Sequence, residues 1–149
     1  MNFGVFLAVL ALSVMMSADF AQAGEINAAK SASSAQARQI LFQVNNSDPS
    51  GWNALLDNVN KVQQAAGNVP LTVEIVVYGQ GIYMMKADSV VAARVQQVIK
   101  AGAEVKICEN TMRSKHLSHK DMQPNLSYVP AGVVEVLDKQ RKGYVYSQP

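Results

Sequence analysis

From Arg38 onward, short runs of β-branched apolar residues alternate with segments whose apolar residues recur at helical spacing. Ile40 to Val44 reads as a strand, stopped by the polar cluster Asn45 to Pro49. A helix is predicted over Gly51 to Ala66, with Asp48 or Ser50 as its cap and Trp52, Leu55, Leu56, Val59 and Val62 on one face. Leu71 to Tyr78 forms a second strand, apolar except for Thr72 and Glu74, as expected where both sheet faces are covered. The turn Gly79-Gln80-Gly81 follows, and Ser89 is placed to cap a helix that carries Val91, Val95, Val98 and Ile99 inward and stops at Gly102. Val105 to Cys108, Ser127 to Val129 and Tyr144 to Tyr146 complete the strands. The polar, basic stretch between the third and fourth has room for one helical turn from Asn110. Pro130 stands as the first residue of a last helix, Ala131 to Lys142, although Val133-Val134-x-Val136 also fits a strand. This alternation predicts an α/β fold: three layers, α/β/α, around a mainly parallel sheet of about five strands.

The front of the chain is different in kind. Between Phe3 and Met16 only Gly4 and Ser13 fall outside the apolar set, and Ala21-Gln22-Ala23 precedes Gly24. This is the pattern of a secretory signal peptide over residues 1–23, too short for a bilayer span. No Lys or Arg precedes the apolar run, and an uncleaved anchor is the alternative reading. Residues 24–37, rich in Ala and Ser, read as a tether, and residues 38–149 as the folded domain. The expected location is periplasmic or secreted, with no stable membrane span after cleavage.

Composition narrows the choice further. The chain has 149 residues, 49% hydrophobic and 16% charged, which is one domain with a core of its own. Thirteen basic against 11 acidic side chains, with no basic stripe interleaved with aromatics, do not argue for a nucleic-acid partner, and none is expected. A single cysteine excludes a disulfide scaffold.

In parallel sheets ligands collect beyond the carboxyl ends of the strands, here Asn45 to Asp48, Tyr78 to Gly81 and Cys108 to Thr111. Cys108 stands at a strand end just before a helix start, where backbone N–H groups stabilise a thiolate, and Arg113, Lys115 and His116 are positioned to add positive potential. Such a thiolate is a nucleophile or a sulfur acceptor; the competing reading is a buried, inert thiol. Gly79-x-Gly81 lacks the third glycine of a dinucleotide turn, because Met84 holds that position. His116 and His119 do not complete a zinc spacing with Cys108, Met84-Met85 has no third soft ligand, and no nucleophile elbow is present. No metal and no cofactor are expected.

Three blocks then carry a resemblance: Val105-Lys106-Ile107-Cys108-Glu109-Asn110-Thr111-Met112, Val129-Pro130-Ala131-Gly132-Val133-Val134-Glu135 and Gln140-Arg141-Lys142-Gly143-Tyr144. Together they resemble the DsrE/DsrF-like family of small α/β proteins linked to sulfur relay and sulfur oxidation. The resemblance implies a sheet flanked by helices, assembled as a homo-oligomer, trimer or hexamer. It implies that Cys108 receives sulfur as a persulfide from a donor and passes it to an acceptor. It also makes Asn110, Thr111, Gly79 and Gly81 site residues, beside Arg113 from the charge argument. Tyr78 stands where relatives often have His. The expected function is an exported protein that binds or relays sulfur; the alternatives are a non-catalytic binding or assembly module of the same fold, or a thiol redox sensor.

Overall fold

The computed structural model describes residues 38–147; the export segment and tether expected over residues 1–37 lie outside them. Five parallel strands form one sheet: β1 (Arg38–Val44), β2 (Leu71–Val77), β3 (Ala103–Cys108), β4 (Ser127–Val129) and β5 (Val145–Ser147), in the order β4-β3-β2-β1-β5. Four α-helices connect them: α1 (Pro49–Ala66), α2 (Ala92–Lys100), α3 (Glu109–Ser114) and α4 (Gly132–Arg141). The sheet is thus entirely parallel, and the α/β expectation holds.

The pleat divides the strands between two layers. Phe42 and Val44 of β1, Val73, Ile75 and Val77 of β2, and Val105 and Ile107 of β3 share one buried cluster with Trp52, Leu55, Leu56 and Val59 of α1 and with Val95 and Val98 of α2. The opposite face is thinner: Leu41, Val76 and Val136 of α4 form a second small cluster, edged by Tyr78, Tyr144 and Tyr146. Strand order explains this division. The connections from β1 through β4 step across the sheet in one direction, and the return from β4 to β5 reverses it. With right-handed crossovers, a reversal puts the connecting helix on the other face.

The helix starts are specified locally, and three differ from expectation. Asp48 caps α1, its carboxylate accepting from the Ser50 and Gly51 N–H groups at 2.9 and 3.1 Å, so the helix begins at Pro49, two residues earlier than expected. Ser89 does not cap α2: its hydroxyl accepts from Val91 N–H at 3.4 Å in a turn before the helix, which starts at Ala92. Pro130 is not the first residue of α4. Its carbonyl accepts from Asn110 N–H at 3.2 Å, which keeps the segment extended through Ala131, and α4 starts at Gly132.

Strand β2 ends at Val77, and the expected tight turn at Gly79 is the start of a 3-10 helix, Gly79–Met85. Met84 and Met85 are fully buried in it, as packing residues. The basic stretch after α3 is tied to this segment by Gln123, whose side-chain amide donates to the carbonyls of Met84 and Lys86 at 3.1 and 3.2 Å. No helix among the described residues is long and apolar enough to cross a membrane.

Candidate functional site

Neighbouring strands β3 and β4 send their following helices to opposite sides of the sheet. Met112 of α3 packs into the larger cluster, whereas Val136 of α4 packs into the smaller one. Their carboxyl ends form a topological switch point, the place where such sheets hold ligands. Cys108, the last residue of β3, lies at it.

The Cys108 side chain serves as the N-cap of α3, with Sγ accepting from Thr111 N–H at 3.4 Å. The Thr111 hydroxyl oxygen in turn accepts from Gly79 N–H at 3.0 Å. Gly79 has φ 57°, a left-handed conformation that glycine adopts without strain, and so turns its N–H toward Thr111. From the other side comes Gly132, the first residue of α4. A Cβ built there would stand 3.0 Å from Cβ of Tyr78 and 3.2 Å from Cβ of Cys108, so the missing side chain lets α4 start close against Cys108. Burial raises the thiol, but donors outweigh it: the Thr111 hydroxyl and the backbone N–H groups of Gly132, Thr111 and Asn110 leave Cys108 below its ordinary value. The residue is 5% exposed.

Of the expected site residues, Cys108, Thr111 and Gly79 are brought together directly. Asn110 ties the site to the segment before α4 through its N–H, which donates to the Pro130 carbonyl. Its side chain is exposed and accepts from the Arg113 guanidinium, so Arg113 is spent on α3 itself. Gly81 has another task. A Cβ there would lie 2.4 Å from the Val44 carbonyl oxygen, so it lets the 3-10 segment run against the end of β1. Of the Asn45 to Asp48 segment, Asp48 is occupied as the α1 cap and the Asn46 carbonyl accepts from the Trp52 indole at 2.9 Å.

His119 stacks on Tyr128 at 3.8 Å between ring centroids. No group of three or more His, Cys, Asp or Glu among the described residues is placed to hold a metal. Gly132 and Tyr78 enter the site without having been singled out as site residues. The signal available for Gly132 was a glycine at a helix start just after a strand, where close approach is the usual reason for the missing side chain.

No family model matches the chain, and no curated protein resembles it significantly. Solved structures do. MTH1491 from Methanobacterium thermoautotrophicum, a protein of unknown function, superposes with a TM-score of 0.70 at 24% identity, over 75% of this chain and 99% of that one. BT1422 from Bacteroides thetaiotaomicron, a conserved protein of unknown function, superposes with a TM-score of 0.60 at 10% identity, over 74% and 95%. The fold is shared. At these identities the likeness is one of architecture alone.

Proposed function

We propose that this protein binds or relays sulfane sulfur on Cys108. The observation that carries the reading is the seat of the sulfur: Cys108 ends β3 at a sheet switch point, its Sγ accepts from Thr111 N–H at 3.4 Å, and Gly132 packs against its Cβ, surroundings that hold the thiol below its ordinary value. The resemblance of the Cys108 to Met112 block to the DsrE/DsrF-like family supports it. In the reaction, the Cys108 thiolate attacks the outer sulfur of a donor persulfide. The new S–S bond forms as the donor's S–S bond breaks, the donor leaves as a thiolate with the electron pair, and the transferred sulfur keeps its proton. With thiosulfate the leaving group is sulfite. Neither version needs an external oxidant, and passage to an acceptor thiolate reverses the same exchange.

Intact-mass measurement after incubation with polysulfide or thiosulfate tests this. One cyanolysable sulfur is expected on wild type and none on Cys108→Ser. A folded wild type with its free thiol confirmed that gains no sulfur overturns the reading. Because the residue is only 5% exposed, small sulfur species are expected to react and bulky aromatic disulfides to react slowly or not at all.

The same burial favours a second reading, a non-catalytic binding or assembly module in which Cys108 is a packing residue. It predicts that Cys108→Ser keeps all oligomerisation and partner capture. An intermolecular disulfide or a sulfenic acid at low peroxide would instead point to a redox sensor. Export and self-assembly belong to the leading proposal. Val133, Val134 and Leu137 of α4 are 53, 51 and 49% exposed in one stripe, and we assign the contact with further copies of this chain to it.

A further inference from the structure

The sulfur site makes no use of the most costly group in the sheet. Glu74 lies in the middle of β2, fully buried, with Leu41 beside it on β1 and Glu104 on β3. One carboxylate oxygen accepts from Lys139 of α4, and the other has no partner among the described residues. Lys139 also stands 3.5 Å from Glu135 and 5.0 Å above the Tyr144 ring. The charged groups around Glu74 are Lys139 and Glu135 from α4 and, from β3, Lys106 and its ion-pair partner Glu104. Burying such a pair costs several kcal/mol per ion, and apolar residues of the same size commonly stabilise a fold as well or better. What the pair supplies is position.

Helix α4 meets the sheet along a single stripe, at Gly132, Val136 and Lys139, spaced four and three residues apart. Its apolar seat is Val136 on Leu41 and Val76. A contact of that kind leaves a helix free to slide or roll by a fraction of a turn, because dispersion has little directionality. A charged hydrogen bond to a fixed carboxylate does not. Gly132 lies seven residues from Lys139, about 10 Å along the axis at 1.5 Å per residue, and its backbone is packed on Tyr78 and Cys108.

We infer that Glu74 and Lys139 are positioning residues for Cys108: their ion pair fixes α4 in the register that packs the Gly132 backbone against Cys108. The inference rests on the preceding reading only in taking Cys108 as the reactive group. It assigns the buried charge a task that an apolar pair cannot perform.

The test is the pH dependence of Cys108 alkylation by iodoacetamide in the full chain, for wild type, Lys139→Met, Lys139→Arg and the double variant Glu74→Leu/Lys139→Met. Lys139→Met is expected to titrate later by at least about half a pH unit, roughly a threefold loss of thiolate at neutral pH. Lys139→Arg is expected to restore the wild-type midpoint. Should Lys139→Met fail to fold, the double variant removes the unpaired charge; it is expected to fold and still titrate late. A wild-type midpoint in either folded variant overturns the inference, whether or not Cys108 accepts sulfur. Late titration in the variants together with no sulfur uptake by wild type overturns the sulfur reading and leaves the positioning role standing.

Discussion

At Cys108 the thiolate is favoured by dipoles, and Thr111 is the residue that supplies two of them, one from its hydroxyl and one from its backbone. Thr111→Val removes the hydroxyl donor and leaves Gly79 N–H unpaired, so neutral-pH alkylation should slow by about tenfold, the worth of a hydrogen bond to a charged group. Thr111→Ser should keep the wild-type rate. The sign of the stability effect follows from the lowered thiol. Unfolding restores the ordinary thiol, so the unfolded state binds more protons between the two values, and stability rises with pH through that window. Urea unfolding of wild type against Cys108→Ala, across neutral to mildly alkaline pH, should show wild type gaining as pH rises; a constant difference would contradict the donor arrangement. Cys108 was the position the sequence singled out most sharply, as a lone cysteine at a strand end, while an inert packed thiol fitted the same residues. Its hydroxyl donor was legible only through the Cys-x-Asn-Thr block, and the Gly132 contact not at all, since it joins residues 24 positions apart in sequence.

At the scale of elements, the strands were read well and the connections less well. β2 reads as a strand buried on both faces and is one, from Val73 to Val77. Two helix starts moved because another hydrogen bond competed with the expected signal: Pro130 is held extended by its tertiary bond with Asn110, and Ser89 spends its hydroxyl on Val91 in a local turn. The 3-10 segment was missed because its glycines look like a plain turn. Gly81 is there for the Val44 carbonyl, which has no trace in the local sequence. Gly81→Ala sets a side chain against backbone that cannot yield, and should lower stability by about 3 kcal/mol or more, read from the urea midpoint. Gly132→Ala meets side-chain atoms at 3.0 to 3.2 Å, a milder conflict. It should cost about 1 kcal/mol and raise the Cys108 titration midpoint, because α4 must back away from the sulfur. Alkylation against pH and a urea curve on the same variant check both parts.

For the molecule as a whole, the strand order decides where chemistry is possible. Had β5 been added beside β4, the last crossover would have stayed on the side of α1 and α2, and no switch point would exist at Cys108. Among the described residues the reversal also leaves α4 as the one helix on its face, with Val133, Val134 and Leu137 exposed. Leu137→Glu should therefore reduce self-association, seen as a smaller sedimentation coefficient at the same concentration, with the far-UV spectrum unchanged. An unaltered sedimentation coefficient in an assembled wild type would move the contact elsewhere on the surface.

Local chemistry alone determined the α/β class, five strands near their observed places, Asp48 or Ser50 as the first helix cap and Cys108 as the residue to watch, since period, capping and residue type act within a few positions along the chain. Tertiary structure decided that the fifth strand pairs with β1, that α4 crosses the opposite face, and that a glycine and a hydroxyl meet at the sulfur. Those outcomes depend on which distant segments pack together, and a hydrophobic pattern specifies a buried face without naming what it is buried against.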